Sequence, residues 1–335
     1  MKKHLWYIAC LVSLVACKSG GNQGQGLLSS SGRSGEVLVV CSANAWNGQL
    51  GDSIEAVLMQ PLIYLPQAEP MFTVSHISNN NFSSTYQKQR NIVYFDINEN
   101  INEAKTIVKY NVWAEPQLLI RILSPTVDDA IAQLSNYKVE IQNLILTNEF
   151  KRFQRSHTSR QDFKIDGELS KTFKLKMFVP EGYFIAVKNE NFAWLRKETK
   201  DWSQDILIYT QNYVDTTQFS SSYIVSLRDS LTHKYVFGSV DNSYMEVETI
   251  LPPQSSFMPR QSNYTIRTEG LWKMQGDCMG GPFVNYSILD TSRNRIVTID
   301  AFLYAPRNDK RDLLRQIEAI LQAADFENNA AENTK

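Results

Sequence analysis

Residues 264–303 read YTIRTEGLWKMQGDCMGGPFVNYSILDTSRNRIVTIDAFL. Three runs rich in β-branched and aromatic residues, 264–272, 283–289 and 295–303, are separated by short segments that hold Gly, Asp and Asn. Gaps of that length join antiparallel neighbours. Working outward, residues 309–324 form an amphipathic helix pattern, with Leu313, Leu314, Ile317, Ile320 and Leu321 inward and Lys310, Arg311 and Arg315 outward. Residues 221–231 repeat it, with Ile224, Leu227 and Leu231 at spacings of three and four. Further strands are expected at 173–179, 184–187, 192–197, 205–209 and 244–250. Strands, helix, strands and a closing helix predict an antiparallel sheet with helices packed on it.

The first half of the chain has a similar style. Residues 36–42 (EVLVVCS) are a buried-strand run, and Asp52-Ser53-Ile54-Glu55 marks a helix start that Pro61, Pro66 and Pro70 end. Strands follow at 71–77, 91–97, 106–110 and 117–123, and from Thr126 the period changes: Val127, Ile131, Leu134, Ile141, Leu144 and Ile145 mark a long amphipathic helix. The expected fold is α+β, with two αβ sandwich-type domains at 36–165 and 166–326, mainly antiparallel sheets with packed helices, and a polar tail at 327–335.

The chain has 335 residues, 43% of them apolar, and 34 basic against 35 acidic side chains. A balance this even excludes the basic footprint of a nucleic-acid binder. Lys2 and Lys3 precede an apolar stretch at 5–16, shorter than the roughly 20 residues a membrane span needs and of signal-peptide length. It ends in Leu14-Val15-Ala16-Cys17, which resembles the lipobox of bacterial lipoproteins. On this reading 1–16 is removed, Cys17 carries diacylglycerol and palmitate, and 17–35, rich in Gly, Ser, Gln and Asn, is a flexible tether. The lipid is then the membrane attachment. No acidic residue precedes Glu36, which favours the periplasmic side of the outer membrane.

Over nearly the whole mature chain the sequence resembles a family of uncharacterised lipoproteins of the Bacteroides group, a domain of unknown function. The likeness is carried by residues 36–40 (EVLVV), 66–72 (PQAEPMF), 90–92 (RNI), 113–117 (WAEPQ), 194–196 (WLR), 269–272 (EGLW) and 279–283 (MGGPF). The order of elements in the second half resembles the PsbP-like αβα sandwich. Neither resemblance implies an activity.

Of the four cysteines Cys10 leaves with the signal, so Cys41 and Cys278 remain; two idle thiols are the plainer reading and one bridge the alternative. His76, His157 and His233 show no metal-binding spacing, no cofactor motif is present, and the local signatures of serine hydrolases and P-loop ATPases are missing. Residues 276–281 concentrate Gly276, Gly280 and Gly281 beside Asp277. They form either a tight strand connection or an anion-binding concavity. Arg90, Trp113, Arg196, Trp272 and Asp277, with Gly280 and Gly281, are the candidate ligand- or partner-binding residues, and at least three of the five side chains are expected to line one concave surface. The favoured function is a non-enzymatic binding or assembly module acting on an envelope protein or glycan. The alternative is an envelope hydrolase with Asp277 as acid or base and the Gly280 and Gly281 amides as oxyanion donors.

Overall fold

The computed structural model describes residues 27–258, 260 and 263–327. The segment expected to be a signal peptide, Cys17, the expected tether as far as 26 and the tail from 328 lie outside the described residues.

The first domain contains β1 (Leu28–Ser29), β2 (Glu36–Val40), α1 (Ala43–Trp46), α2 (Gln49–Leu58), β3 (Thr73–Ile77), β4 (Asn91–Ile97), β5 (Lys105–Tyr110), β6 (Ala114–Glu115), β7 (Leu118–Ser124), α3 (Val127–Asn136) and α4 (Lys138–His157). Its five-stranded sheet runs β3-β2-β4-β7-β5. The β2–β3, β2–β4 and β4–β7 pairs are parallel and β5 alone is antiparallel, so this sheet departs from the antiparallel expectation. The physical reason lies in the connections. Helices fill the passage from β2 to β3, and residues 78–90 separate β3 from β4, long enough for a crossover. Val37, Val39, Phe95, Ile120 and Ile122 on one face pack against Leu50, Ile54, Leu134 and Ile141 of the helices. On the other face Leu38, Val40, Ile92 and Leu119 are covered by Phe82, Val112 and Trp113. Thr126 caps α3 as its sequence suggests, accepting from the Asp129 amide at 3.2 Å. The long helix expected beyond it is two helices, divided at Tyr137.

Residues 27–35 are not a free tether. β1 pairs in parallel with β6, Ser30 Oγ donates to the Pro116 carbonyl at 2.6 Å, and the Gly35 amide donates to Glu149 at 3.1 Å. Leu27 and Leu28, its only apolar side chains, are exposed, and polar contacts hold the segment.

The second domain contains α5 (Phe163–Phe173), β8 (Leu175–Lys176), β9 (Phe184–Lys188), β10 (Phe192–Glu198), β11 (Ser203–Asn212), α6 (Ser221–Tyr235), β12 (Tyr244–Val247), β13 (Gln254–Phe257), β14 (Thr265–Gln275), β15 (Gly280–Asp290), β16 (Arg295–Tyr304), α7 (Arg311–Ala323) and β17 (Asp325–Phe326). The eight-stranded sheet runs β12-β14-β15-β16-β11-β10-β9, with β13 also on β14, and every pairing is antiparallel. Leu169 and Phe173 of α5 and Ile317 and Ile320 of α7 pack with Tyr286, Ile299 and Leu195 on one face. On the other, Leu227 and Leu231 of α6 pack with Leu207, Tyr209, Trp272 and Phe283. The molecule is thus an α+β protein of two domains.

The domains meet along α4, α7 and the loop before β3. Glu69 accepts from the amides of Lys310 (2.7 Å) and Arg311 (3.0 Å), capping α7 from the other domain. Arg311 Nη1 donates to the Pro70 carbonyl at 3.0 Å, and Gln154 Nε2 to that of Ala319 at 2.8 Å. Lys310, Arg311 and Arg315, expected to face water, are buried in this junction. Desolvation there brings the Arg315 guanidinium down to about 10.

Candidate functional site

A cleft of about 470 Å³ opens at one end of the second sheet. Its walls come from the β10–β11 hairpin, the residue before β15 and the chain leaving β16: Arg196, Lys200, Trp202, Met279, Tyr304 and Arg307. The hairpin is closed by Thr199, whose amide donates to the Trp202 carbonyl (2.9 Å) and whose Oγ1 accepts from the Asp201 and Trp202 amides. Glu198 and Asp201 also line the cleft, so its rim carries both signs of charge.

Arg196 is fixed from three sides. It faces Asp205 across the hairpin register, with Nε 3.0 Å from Oδ1, a charge contact outside hydrogen-bond geometry. It also pairs with Glu198, and its guanidinium carbon lies 4.8 Å from the centre of the Trp194 ring. Asp205 is fully buried and accepts from Trp194 Nε1 (2.9 Å) and Ser203 Oγ (2.8 Å). Burial pushes its carboxyl up to about 6, against the pull of Arg196 and these donors.

The sign of the pH dependence follows. Below about pH 6 folded Asp205 takes up a proton while the unfolded chain stays ionised down to about pH 4, so acidification through that window favours the fold. Two units at about 1.4 kcal/mol each give this group a gain of up to about 3 kcal/mol between roughly pH 6.5 and 4. Urea unfolding across that range should show the component in the native chain and lose it in Asp205→Asn. Equal slopes in both proteins would refute it.

Of the five side chains expected on one concave surface, Arg196 alone lines this cleft. Arg90 and Trp113 belong to the first domain: Arg90 is clamped to Glu149, and Trp113 packs edge-on against Phe82 at 5.6 Å between ring centres. Trp272 is core, 2% exposed, with Nε1 donating to the Leu303 carbonyl at 3.3 Å. Asp277 lies on an exposed turn and accepts from the Ser239 amide (3.0 Å), Ser239 Oγ (2.6 Å) and the Cys278 amide (2.7 Å). Those donors hold its carboxyl below the usual range, so it locks the turn as an anion. Gly280 and Gly281 sit in β15 opposite Lys273 and Trp272. A Cβ on Gly281 would stand 2.1 Å from the Leu303 carbonyl oxygen, which makes this glycine a packing requirement. Glu246 and Glu248 both reach Lys273 Nζ, at 3.5 and 3.6 Å, as a surface charge cluster. Cys41 is a buried free thiol and Cys278 an exposed one. The sequence reading missed Lys200, Tyr304 and Arg307 as site residues, and no local pattern marks them.

No curated protein matches this sequence. Residues 30–158 match the family model described as Domain of unknown function (DUF8532), and residues 162–323 match that of Domain of unknown function (DUF4837). The two matches lie side by side, and each is to a domain of unknown function. The DUF4837 match runs from the Asp162 cap of α5 to the last residue of α7 and contains the cleft; the DUF8532 match contains the parallel sheet and begins inside the segment expected to be a tether. Among solved structures, a mutant of the protein Mog1 matches at 10% identity and TM-score 0.30, over 47% of this chain and 92% of that one. The Saccharomyces cerevisiae Ran-binding protein Mog1p matches at 10% and 0.31 over 46% and 90%. Human STARD10 matches at 9% and 0.23 over 48% and 80%.

Proposed function

We propose that this chain is a lipid-anchored cell-envelope protein, held to the outer membrane by Cys17 on its periplasmic side, that binds a glycan or peptide of another envelope component through the cleft of its second domain. The observation that carries the binding reading is the cleft wall itself. An arginine held in place over a tryptophan stands beside Trp202 and Tyr304, and aromatic faces next to fixed cations suit sugar rings and peptide side chains. Among the described residues no helix is long and apolar enough to cross a membrane, so anchoring rests on the lipobox sequence. The hydrolase alternative at 276–281 draws no support from an aspartate already engaged by three donors on an open turn.

Two measurements test this reading. Cys17→Ala should abolish labelling by radioactive palmitate and move the protein out of the membrane fraction; retention in that fraction would sink the anchor. In pulldowns from envelope extracts, Trp202→Ala and Arg307→Ala should each weaken recovery of a partner or glycan about thirtyfold, the roughly 2 kcal/mol cost of losing a hot-spot contact. Unchanged recovery with unchanged circular dichroism would remove the cleft from the binding surface.

A further inference from the structure

The parallel sheet of the first domain reverses its direction of growth at β2. From β2 the chain adds β3 on one side, then returns across to add β4 on the other. In open α/β sheets the connections part at such a reversal and leave a crevice outside the carboxyl ends of the two strands. A crevice of about 290 Å³ lies there, lined by Ser42 after β2, Asn79 after β3, and Tyr94, Asp96 and Asn98 at the end of β4.

Its lining has unused hydrogen-bonding capacity among the described residues. Asn79 Nδ2 donates to the Phe95 carbonyl (3.1 Å), which leaves its Oδ1. Ser42 Oγ accepts from the Ala45 amide (3.2 Å), which leaves its proton. Asn98 Oδ1 takes both contacts from Asn100 (2.9 Å each), which leaves its Nδ2. Asp96 is neutralised by Arg121, whose guanidinium lies 5.7 Å from the centre of the Tyr94 ring and whose buried Nε has no acceptor. No lining residue supplies an unpaired cation for an anionic ligand, and the described residues contain no cluster of three metal-ligating side chains. Hydroxyl, amide and carboxylate groups around a tyrosine match a ring that carries several hydroxyls, and the volume admits one ring, at the small end of ligand pockets.

We infer that the first domain binds a small uncharged polyhydroxy compound, of monosaccharide or nucleoside size, in the crevice between the carboxyl ends of β2 and β4. Asp96 accepts from its hydroxyls and the Tyr94 ring lies beside it. This site is independent of the cleft in the second domain.

The test titrates the full chain calorimetrically with N-acetylglucosamine, glucose, inositol and adenosine, with inorganic phosphate as the anionic contrast. At least one of the four should bind saturably and phosphate should not. Asp96→Asn should weaken that binding about tenfold or more, as expected for loss of a charged hydrogen-bond acceptor. Tyr94→Leu, which removes the aromatic ring, should weaken it severalfold with circular dichroism unchanged, and Trp202→Ala should leave it intact. Absence of saturable binding by all four, saturation by phosphate alone, or native affinity in both Asp96→Asn and Tyr94→Leu would overturn the inference.

Discussion

Asp300→Ala is expected to destabilise the second domain by about 3–5 kcal/mol, the cost of leaving one member of a buried ion pair without its partner. Arg228 of α6 and Asp300 of β16 are both fully buried, with Nε and Oδ2 3.0 Å apart. Asn285 Nδ2 supports the carboxylate at 3.0 Å, and the guanidinium carbon lies 4.1 Å from the centre of the Phe283 ring. The surroundings have little else to offer the guanidinium, since its Nη2 meets only the Met245 sulfur at 3.6 Å and its Nη1 has no acceptor. Once Asp300 is gone the cation can neither be solvated nor paired. Urea denaturation measures the effect, and the double variant Arg228→Met with Asp300→Leu should be less destabilised than Asp300→Ala, because it removes both charges together. A single variant within about 1 kcal/mol of the native chain would refute the account.

Glu149→Ala should cost the first domain a comparable 3–4 kcal/mol. This carboxylate, 4% exposed, accepts from Arg90 Nε (2.9 Å), from Asn91 Nδ2 (2.9 Å) and from the Gly35 amide (3.1 Å), and it forms an ion pair with Arg90 Nη2 at 2.8 Å. It therefore ties α4 to the start of β4 and to the segment that precedes β2. Its loss strands one guanidinium and one amide, and should release residues 27–35. Limited proteolysis is the sensitive readout: cleavage within 27–35 should accelerate well before the domain unfolds. An unchanged cleavage rate together with an unchanged melting temperature would show that Glu149 does not hold this segment.

Local chemistry made part of this protein legible. The three strands between 264 and 303 announce themselves because their partners are their neighbours in sequence, so short turns and alternating side chains suffice. The cap at Thr126 and the apolar stripe of α7 are likewise properties of a few consecutive residues. Of the candidate residues, Arg196 lines the cleft, and Gly280 and Gly281 lie tight against neighbouring backbone. Gly281 is confined by the backbone of Leu303, a strand away, which no local pattern reveals.

What the tertiary structure decided is everything that depends on which distant groups meet. Whether 36–40 pairs in parallel with 73–77 depends on where the connection between them crosses the sheet. Arg311 and Arg315 look like the solvated side of an amphipathic helix until the loop at 69–71 supplies a carboxylate and carbonyls for them to cover. The cleft draws its walls from 196–203, 279 and 304–307, and the crevice draws on 42, 79 and 94–98. Sequence by itself determined the class of fold and most of its strands and helices, because these follow from periodicity and capping over short spans. The sheet direction, the buried charges and the walls of the cleft and the crevice were settled only by folding, because hydrogen-bond partners and desolvation are set by groups far apart along the chain.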